Sequence, residues 1–427
     1  MKILHLSTSD LDGGAARAAY RLHQGLQDID VNSQMLVRAK NSLDSTVIAK
    51  QDLLTKLGPA ANSLPLKFYP ERDRALFSSQ WFFDSVFDNA KKISSEIIHL
   101  HWICNGFLKI ENIAKFEQPL VWTLHDMWTF TGGCHTTKGC LQYQKYCGNC
   151  PQLNSKKNWD LSSWTWKRKA RHWKNLNLTF VSPSQWLAEC ASSSSLLANF
   201  KVKVIPHGLK LDKYKPIEKN TARRILNLPA NKQLIGFGSG SIKDPNKGFA
   251  LLSDALSTLR LEKHFQNIEL VIFGSSQPQQ KLNLKVKIHC LERFHDDISL
   301  SLIYSAVDVM VVPSLQESFG QTASESLSCS TPVVSFDATG LKDIIDHQQN
   351  GYLATPYEVK DLAKGIAWVL KDKDRYRKLQ IEARKKAERE FSIELQARRY
   401  LSLYQEILGK PIENLSTSIQ SIEPQYK

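Results

Sequence analysis

The sequence predicts an α/β protein with two doubly wound parallel sheets, one in each half of the 427-residue chain. Short apolar runs rich in valine and isoleucine recur along the chain, and each is followed by a loop and a helical pattern. This alternation is typical of parallel βαβ units whose strands are buried on both faces. The chain is also too long for one compact core, so we expect two domains of ordinary size.

The predicted strands are runs of four to six apolar residues, which is the usual length of a buried strand. In the first half they lie within 2–7, 96–102, 119–126 and 178–184. In the second half they lie within 203–208, 234–240, 268–274, 286–290, 308–314 and 332–336. Ligands of open parallel sheets bind at the carboxyl ends of the strands, so side chains just after these runs are candidate site residues.

The strand pattern and a serine-rich stretch near residues 192–195 predict where the domains divide. We expect an N-terminal sheet domain at residues 1–202, with a cysteine-rich insert at 134–150, and a C-terminal sheet domain at 203–390. Residues 391–409 have helical periodicity, and whether this helix returns to the N-terminal domain is left open. The polar tail, 410–427, is expected to be flexible.

Charge and hydropathy narrow the classes of partner and the location. The formal net charge of +14 favours phosphate-bearing substrates, an anionic membrane face or nucleic acid. The N-terminal "MKILHLST" has the pattern of a strand rather than of a signal peptide. No apolar stretch approaches the roughly 20 residues that span a membrane, so we expect a cytoplasmic protein.

The stretch "ESFGQTASE" places two acids, Glu317 and Glu325, around a predicted strand–loop–helix junction. Gly320 allows close approach of the backbone to a ligand, and the N–H groups of Gly320, Gln321 and Thr322 at the helix start can bind phosphate. A carboxylate accepts two hydrogen bonds from vicinal hydroxyls, so one acid can hold a ribose and the other a sugar. The alternative is a solvated helix with two surface glutamates.

The longer stretch "PSLQESFGQTASESLSCSTPVVSFDATGLKDIIDHQQNGYL" resembles the C-terminal signature of the family 4 glycosyltransferases. The similarity continues through the N-terminal glycine loop, "VSPSQWLAE", "VIPHGLKLDKYKP", "NKGFALL" and "LSLIYSAVDVMVVPS", and so covers nearly the whole chain. These relatives are retaining, nucleotide-sugar-dependent enzymes of the GT-B fold. The resemblance implies two Rossmann-like domains facing a cleft, with the donor held by the C-terminal half and the acceptor by the N-terminal half.

The resemblance also implies roles for single residues of the C-terminal half. Glu325 resembles the acid that binds the ribose hydroxyls, and Glu317 resembles the acid near the donor sugar. Lys247 resembles the lysine that meets the diphosphate, whose negative charge grows as it departs. Many relatives carry an arginine shortly before this lysine. The arginine is missing here, and whether Lys243 or Arg293 replaces it stays open.

In the N-terminal half, Gly13 and Gly14 follow the first predicted strand and open a helix, where their N–H groups can approach a phosphate or sugar of the donor. His125 ends another predicted strand and resembles the family's histidine near the donor sugar and the acceptor. Asp126 is expected to orient His125 or the acceptor. We expect His125 and Glu317 to be the catalytic residues. Because retention in the family needs no dedicated base, Glu317 is expected to stabilise or position the donor sugar rather than to act as a nucleophile.

Four cysteines cluster in "GGCHTTKGCLQYQKYCGNC". Cys147 and Cys150 have the two-residue spacing of a zinc knuckle, whereas Cys134 and Cys140 are spaced more loosely. In a cytosolic chain such a cluster indicates structural zinc, with reduced packing cysteines or a redox or disulfide role as alternatives. The family needs no cofactor for the chemistry itself.

The stretch "KKNWDLSSWTWKRKARHWKNLN" at residues 156–177 mixes basic residues with tryptophans. Such helices can lie on anionic membranes, which suits lipid-linked or polysaccharide acceptors. The alternative is an ordinary helix with tryptophans inward and charges outward. Nucleic acid is not expected as a partner, because no base-stacking module or recognition helix is evident.

The sequence therefore predicts a cytoplasmic, retaining glycosyltransferase that moves a hexose from a nucleoside-diphosphate sugar to a hydroxyl of a glycan or lipid-linked acceptor. Association with the inner face of the membrane stays open. Two alternatives remain, namely a non-catalytic sugar- or nucleotide-binding GT-B protein and a basic protein that binds membrane surfaces or nucleic acid. The sugar, the base, the acceptor and the oligomeric state are not predicted.

Overall fold

The structure, a computed structural model, describes residues 1–49, 52–261, 265–275, 286–292, 294 and 296–411. Its strands form one sheet of seven and one of six strands, and all the strand pairings are parallel. This confirms the predicted fold class. The first sheet contains Lys2–Ser9 (β1), Asn32–Ala39 (β2), Val47–Ala49 (β3), Ile97–Leu100 (β4), Leu120–Thr123 (β5), Leu178–Ser182 (β6) and Val202–Val204 (β7). The second contains Gln233–Gly238 (β8), Ile268–Phe273 (β9), Lys287–Cys290 (β10), Val309–Val312 (β11), Val333–Phe336 (β12) and Gly351–Ala354 (β13).

Helices connect the strands, as the βαβ pattern predicts. They are Gly14–Gln27 (α1), Leu53–Ser63 (α2), Val86–Lys91 (α3), Ile110–Ile113 (α4), Leu161–Trp173 (α5), Gln185–Ser192 (α6), Lys219–Ile225 (α7), Phe249–Leu259 (α8), Asp297–Ala306 (α9), Gln321–Ser328 (α10), Val359–Lys371 (α11), Lys373–Glu390 (α12) and Ile393–Leu408 (α13). Within the described ranges, no helix is long and apolar enough to cross a bilayer.

Each sheet reverses its strand order at one point. The first runs β3-β2-β1-β4-β5-β6-β7, and the second runs β10-β9-β8-β11-β12-β13. The reversals therefore lie between β1 and β4 and between β8 and β11. At such a switch point the loops leave neighbouring strands in opposite directions, and ligands of open parallel sheets bind in the crevice that this opens.

The prediction of strands was incomplete. It missed β2, β3 and β13, and it assigned β7 to the second sheet, whereas β7 pairs with β6 in the first. β2 has the sequence "NSQMLVRA", whose polar residues interrupt the apolar run, and β3 has only three residues. Short or mixed runs do not carry the signal of a strand that is buried on both faces.

The chain divides into two compact units. The first comprises Met1–Ser182, Ala191–Gly208 and the chain from Ile393 onward, and the second comprises Pro183–Cys190 and Leu209–Ser392. The first unit thus extends beyond the predicted division after residue 202, and the sequence did not predict that Pro183–Cys190 lies in the second unit. Residues 412–427 of the predicted tail lie outside the described residues.

The core of the first unit is completed by α13. Tyr400 and Tyr404 are fully buried in one cluster with Ile3 of β1 and Ile97 of β4, and α13 packs beside α1. The strand residues in this cluster are apolar and fully buried, so the last helix of the chain covers a face of the first sheet. Loss of α13 would expose that face to water.

The second sheet is covered by helices on both faces. Val309 and Val311 of β11 face one cluster together with residues of α8 and α11, while Met310 and Val312 face another with residues of α9, α10 and α12. Successive side chains of a strand point to opposite faces. An apolar residue at every position of β11 is therefore what a strand between two helical layers requires.

One partly buried charge cluster holds α7 against the start of β8. The Asp308 carboxylate lies 2.7 Å from Arg223 Nη2 and 2.7 Å from Lys219 Nζ, and it also accepts the Leu234 N–H at 2.7 Å. Arg223 is buried, so removing the acid would leave a buried cation without its partner.

We predict that Asp308→Asn lowers the free energy of unfolding by about 3 kcal/mol, because the isosteric amide leaves Arg223 uncompensated. Urea denaturation followed by circular dichroism measures the change. The matched control is Asp374→Asn, which removes an exposed pair with Arg377 at 3.7 Å and should cost less than about 1 kcal/mol. Equal costs for both variants would contradict the role assigned to Asp308.

Candidate functional site

Two loops of the second unit are joined at its switch point. The Leu315 N–H donates to the Asn246 carbonyl at 2.8 Å, and Asn246 Nδ2 donates to the Gln316 carbonyl at 2.8 Å. Asn246 lies in the loop after β8, and the other two residues lie in the loop after β11. Because β8 and β11 are neighbours, these bonds make one continuous surface from the carboxyl ends of both strands.

This surface brings the predicted residues Lys247 and Glu317 together. Lys247 Nζ lies 2.6 Å from Glu317 Oε1, and both side chains are partly buried. The charge of Glu317 raises the pKa of Lys247 above its usual range. The lysine is therefore held as a cation beside an acid, which is the environment that a diphosphate and a sugar would meet here.

Gly248 explains how the lysine reaches this position. It has φ +67°, and a Cβ built there would lie 1.9 Å from the Pro313 carbonyl oxygen. Only glycine allows the loop after β8 to pass so close to the end of β11. The contact places the residue before it, Lys247, against the β11 loop.

The backbone around Glu317 is fixed from the other side by the loop after β12. The Glu317 N–H donates to Thr339 Oγ1 at 3.1 Å, and its carbonyl accepts the Gly340 N–H at 2.9 Å. A Cβ on Gly340 would lie 2.5 Å from the Ser318 carbonyl oxygen. The position of Glu317 thus depends on contacts that no larger residue at position 340 would permit.

Gly320 is the last residue of the loop after β11 and directly precedes α10. It has φ +106°, a Cβ there would lie 2.6 Å from Leu341 Cδ2, and no side chain caps the helix at this position. Gln321 and Thr322 are the first two residues of α10. The positive end of the helix therefore lies three residues from the Lys247–Glu317 pair, and such an end favours a bound anion.

Glu325 lies one turn into α10 and is buried, with 6% of its surface exposed. Its carboxylate accepts from the Tyr304 hydroxyl at 2.7 Å and from the Tyr214 hydroxyl at 3.3 Å. Burial, and then the charge of Glu325, raise the pKa of Tyr304 well above its usual range, so this tyrosine remains a donor. The two hydroxyls hold the carboxylate in one orientation and leave it lone pairs for other donors.

The sequence analysis missed both tyrosines. They precede Glu325 by 111 and 21 residues, and nothing in their local patterns marks them as partners of an acid. Of the two cations considered as replacements for the missing arginine, Lys243 is exposed and Arg293 lies outside the described residues. That question stays open.

In the first unit, the predicted glycine loop follows β1. Gly13 has φ +90° and immediately precedes α1, which begins at Gly14 and has no side-chain cap. A Cβ at Gly13 would meet nothing within 4 Å, so the backbone conformation, and not crowding, favours glycine. The base of the loop is fixed by Asp10, which accepts the N–H groups of Asn41 and Ser42, each at 2.9 Å.

His125 is the last member of a buried chain of histidines at the switch point of the first sheet. His5 Nδ1 lies 2.9 Å from His101 Nε2, and His101 Nδ1 lies 3.1 Å from His125 Nε2. The ring of His125 also stacks on His207, with centroids 5.2 Å apart. His5 lies on β1, while His101 and His125 follow the neighbouring strands β4 and β5. We call His5, His101 and His125 the histidine chain.

Burial keeps the histidine chain neutral. Desolvation lowers the pKa of His5 and His101 well below the usual range and lowers that of His125 to about 4. A neutral imidazole has one N–H donor and one acceptor nitrogen. Each bond of the chain therefore has a direction, and the direction is the same along the whole chain.

His5, at the end of the histidine chain opposite His125, determines the direction of these hydrogen bonds. His5 Nε2 is buried and has no hydrogen-bond partner within the described ranges. An unsatisfied lone pair there costs less than an orphaned N–H. We therefore assign the proton of His5 to Nδ1, which donates to His101, and His101 in turn donates from Nδ1 to His125. His125 then carries its proton on Nδ1 and presents a donor there.

His99 completes the buried group but adds no metal site. One nitrogen from each of His5, His99 and His101 lies within 4.8 Å of the others. His99, however, bonds the Tyr404 hydroxyl at 2.7 Å through Nδ1 and Thr123 Oγ1 at 2.8 Å through Nε2. With both ring nitrogens hydrogen-bonded, His99 has no lone pair left for a metal ion.

Asp126 bonds to groups other than His125. Its carboxylate accepts the Trp102 indole N–H at 2.8 Å and the Trp128 N–H at 2.8 Å, and it pairs with His135 Nδ1 at 2.6 Å. Burial acts to raise the pKa of Asp126, but the contacts with His135 prevail and lower it. Asp126, the residue after His125, thus contacts His135 in the cysteine-rich segment.

The basic, tryptophan-rich helix is α5, and it follows the ordinary-helix alternative only in part, since Trp173 is buried and Lys167 and Arg171 are exposed. Lys169 is fully buried, whereas Trp164 is exposed. Trp159, just before the helix, is 77% exposed. The amphipathic rule fails here because Lys169 donates to the buried carbonyls of Trp128 and Thr131.

The chain is similar to known glycosyltransferases. Residues 218–386 match the family model described as Glycosyl transferases group 1. The chain is 24% identical over 385 residues to the putative colanic acid biosynthesis glycosyl transferase WcaC of Escherichia coli (strain K12), covering 85% of this chain and 90% of that one. Further curated relatives are matched over 43% and 51% of their own length.

Solved structures show the same fold. Sucrose-phosphate synthase (tll1590) from Thermosynechococcus elongatus has a TM-score of 0.69 at 20% identity, covering 96% of this chain and 100% of that one. Anabaena Alr3699/HepE in complex with UDP-glucose has a TM-score of 0.65 at 19% identity, covering 96% and 99%. The two parallel-sheet domains therefore have the GT-B fold that the resemblance implied.

The neutral histidines predict a loss of stability in mild acid. In the unfolded chain each histidine takes up a proton near pH 6.5, whereas the folded pKa of His125 is about 4 and that of His5, His99 and His101 is also far below 6.5. The unfolded state thus binds more protons as the pH falls from about 6.5 towards 4. Stability should fall by about 1 kcal/mol per such histidine at pH 5.5.

Urea denaturation at pH 7.5, 6.5 and 5.5 measures this slope. His99→Gln should reduce the slope, because one suppressed proton uptake is removed. His172→Gln, on a partly exposed position of α5, should leave the slope unchanged. A stability that stays constant between pH 7.5 and 5.5 in the unaltered chain would contradict the assignment of neutral, buried histidines.

Proposed function

We propose that this chain moves a hexose from a nucleoside-diphosphate sugar to a hydroxyl acceptor. The premise is that the chain is a glycosyltransferase, since its residues 218–386 match the glycosyl transferases group 1 family. The acceptor is a glycan or a lipid-linked glycan, and the configuration at the anomeric carbon is retained. The protein acts in the cytoplasm. The observation that carries the proposal is the group of Lys247, Glu317 and the start of α10 at one switch point.

Each part of that group suits one part of the donor. The Lys247 ammonium and the N–H groups at Gly320, Gln321 and Thr322 suit the diphosphate, because both are positive and partly buried. Glu325, which lies in the same helix α10 and is oriented by Tyr304 and Tyr214, suits the ribose hydroxyls. The distance along α10 from the phosphate-binding turn to Glu325 is about one helical turn, or ~5 Å.

The ion pair with Lys247 supports an electrostatic role for Glu317. A carboxylate that shares its charge with an ammonium 2.6 Å away is a weaker nucleophile than a free one. Glu317 is therefore proposed to position the donor sugar and to stabilise positive charge at its anomeric carbon. When the diphosphate arrives, it competes with Glu317 for Lys247, so binding changes the charge around the acid.

The transfer then needs no separate base. The bond between the anomeric carbon and the diphosphate oxygen breaks, and the acceptor oxygen bonds to that carbon on the same face. The acceptor proton passes to the departing phosphate oxygen. Lys247 and the helix N-terminus stabilise the negative charge that accumulates on the leaving group. No metal ion or organic cofactor takes part in this scheme.

The first unit is proposed to supply polar contacts to the sugars. His125, with its proton on Nδ1, suits a sugar oxygen as a hydrogen-bond donor and does not act as a general base. Gly13 and Gly14 present backbone N–H groups at the start of α1, which suit a phosphate or a sugar hydroxyl of the donor. Relatives support the substrate classes, since WcaC is named for colanic acid biosynthesis and HepE was solved with UDP-glucose.

An apolar groove on the first unit supports contact with a membrane. Phe68 is 84% exposed, and the groove is lined by Leu64, Pro65, Phe68, Trp81, Leu161 and Trp164. Arg168 lies 4.3 Å from the centre of the Trp164 ring, which lines the groove. Lys167 Nζ lies 3.1 Å from the centre of the ring of Trp159, a residue just before α5 that is 77% exposed. Exposed aromatics with neighbouring cations suit an anionic lipid surface, where a lipid-linked acceptor resides.

Donor binding is the first test of the proposal. A thermal-shift screen with nucleoside diphosphates and their hexose conjugates should find at least one that stabilises the chain, because a ligand at 100 times its Kd adds about 2.7 kcal/mol. Glu325→Ala should reduce the affinity for that ligand by about tenfold or more, since two ribose hydrogen bonds are lost.

Two controls accompany this screen. Glu358→Ala, at an exposed position before α11, should leave the affinity unchanged. Inorganic phosphate alone should stabilise the chain less than the diphosphate does. If no nucleoside diphosphate or its sugar binds, the proposal fails, and unchanged affinity in Glu325→Ala would refute the role of that acid.

Membrane contact predicts co-flotation of the protein with vesicles that contain anionic lipid, and less with purely zwitterionic vesicles. The double variant Phe68→Ser and Trp159→Ser should reduce flotation several-fold, because it removes apolar area that the membrane would bury. Leu261→Ser, at an equally exposed position in the second unit, is the matched control. Equal flotation of all forms would contradict a role for the groove.

A further inference from the structure

Four cysteines of the first unit surround one small cavity that takes no part in the proposed transfer. Cys134, Cys140, Cys147 and Cys150 all line it, and its volume is about 20 Å³. A cavity of this size holds one water-sized particle. All four cysteines are free thiols, and all lie within the described residues.

A backbone N–H group points at one of the sulfur atoms. The Gly132 N–H donates to Cys147 Sγ at 3.1 Å. The sulfur of a neutral thiol is only a weak acceptor, whereas a thiolate accepts such bonds well. This amide is therefore placed for a thiolate, and hydrogen bonds to the sulfurs are a normal part of metal–thiolate centres.

The turn between Cys147 and Cys150 is shaped to direct both sulfurs inward. Gly148 has φ +153°, and a Cβ there would lie 2.5 Å from the Asn158 carbonyl oxygen. The Cys150 N–H donates at 2.9 Å to Asp160, which also caps the start of α5. The cysteine turn is thus anchored to a helix and is not a loose loop.

Lys169 of α5 is a buried cation beside this cavity. Its surface is 0% exposed, and Nζ lies 3.6 Å from the centre of the Trp128 ring. Its ammonium donates to the Trp128 and Thr131 carbonyls, and Thr131 lines the cavity together with the four cysteines. A buried cation is costly unless anionic groups lie near it. Thiolates at the cavity would supply that charge.

We propose that Cys134, Cys140, Cys147 and Cys150 bind one zinc ion as thiolates, with Lys169 as the buried cation that offsets the charge of the centre. Binding releases four thiol protons to solvent and leaves a zinc tetrathiolate of net charge −2. Four sulfur ligands in a tetrahedral arrangement are typical of structural zinc.

The sulfurs must move inward to form this centre. No three of the four lie within 4.8 Å of one another in the structure. Zinc–sulfur bonds of about 2.3 Å bring tetrahedral sulfurs to about 3.8 Å. Zinc binding therefore tightens the segment from Cys134 to Cys150, which also carries His135, the partner of Asp126.

The test is metal analysis of the full chain purified under reducing conditions without chelator. We expect one zinc per chain. Replacement of zinc by Co²⁺ should give the sulfur-to-cobalt charge-transfer band and the visible bands of a tetrahedral tetrathiolate site. A folded chain that binds neither metal, or a cobalt spectrum without thiolate bands, would overturn the proposal. The second result would show that the bound cobalt has ligands other than these cysteines.

Variants separate the ligands from the other cysteines. Cys147→Ser should lose the zinc, while Cys290→Ser, on β10 of the second unit, should retain it. Retention of zinc and an unchanged thiolate band in Cys147→Ser would overturn the assignment. The cobalt spectrum of the unaltered chain decides the matter even where Cys147→Ser does not fold.

The role of Lys169 has its own readout. Lys169→Met, which keeps the packing and removes the charge, should release zinc to a competing chelator at about tenfold lower chelator concentration. The thiolate band of the bound cobalt should keep its position, because the ligands are unchanged. Equal zinc retention by Lys169→Met and the unaltered chain would refute charge compensation by this lysine.

Discussion

The candidate donor site depends on the close contact between the loop after β8 and the loop after β11. Gly248 passes against the Pro313 carbonyl, and Asn246 bonds the backbone of Leu315 and Gln316. These contacts carry no reactive group. They nevertheless place Lys247 beside Glu317 and set both at the start of α10, because the two strands are neighbours at the reversal of the sheet order. The positions of Lys247 and Glu317 thus follow from the backbone geometry of the two loops.

Both units bury polar groups at a cost in folding free energy, which indicates a functional role for these groups. Glu325 and its two tyrosines lie inside the second unit, where an apolar residue would pack more cheaply. The histidine chain lies inside the first unit, and each of its members gives up protonation in order to stay buried. Stability alone does not favour these choices. They are consistent with sites whose polar groups are oriented before a ligand arrives, so that binding spends little free energy on ordering them.

The sequence predicted the parts of the molecule whose signal is local. Apolar runs such as those of β11 and β12 marked buried strands, and the motif residues Lys247, Glu317 and Glu325 were located through the resemblance to the family 4 glycosyltransferases. The contacts between distant residues could not be predicted. Tyr304 and Tyr214 meet Glu325 only because α9 and the chain after β7 fold onto α10.

The first unit shows the same limit more strongly. His5 and His101 are hydrogen-bonded to each other, and this contact appeared only once the register of β1 and β4 was known. Lys169 lay in a helix whose composition indicated an exposed charged face, yet the lysine is buried against backbone carbonyls. The four cysteines were visible as a cluster, but the Gly132 amide and the lysine that suit thiolates were not.

The central claim is that the donor binds on the second unit at the joined loops. A crystal structure of the full chain with a bound nucleoside diphosphate tests it most directly. The account predicts the β-phosphate within hydrogen-bond distance of Lys247 Nζ and of the N–H groups at the start of α10, with the ribose hydroxyls on Glu325. A diphosphate bound elsewhere, with Lys247 still paired to Glu317 and no ribose hydroxyl on Glu325, would contradict it.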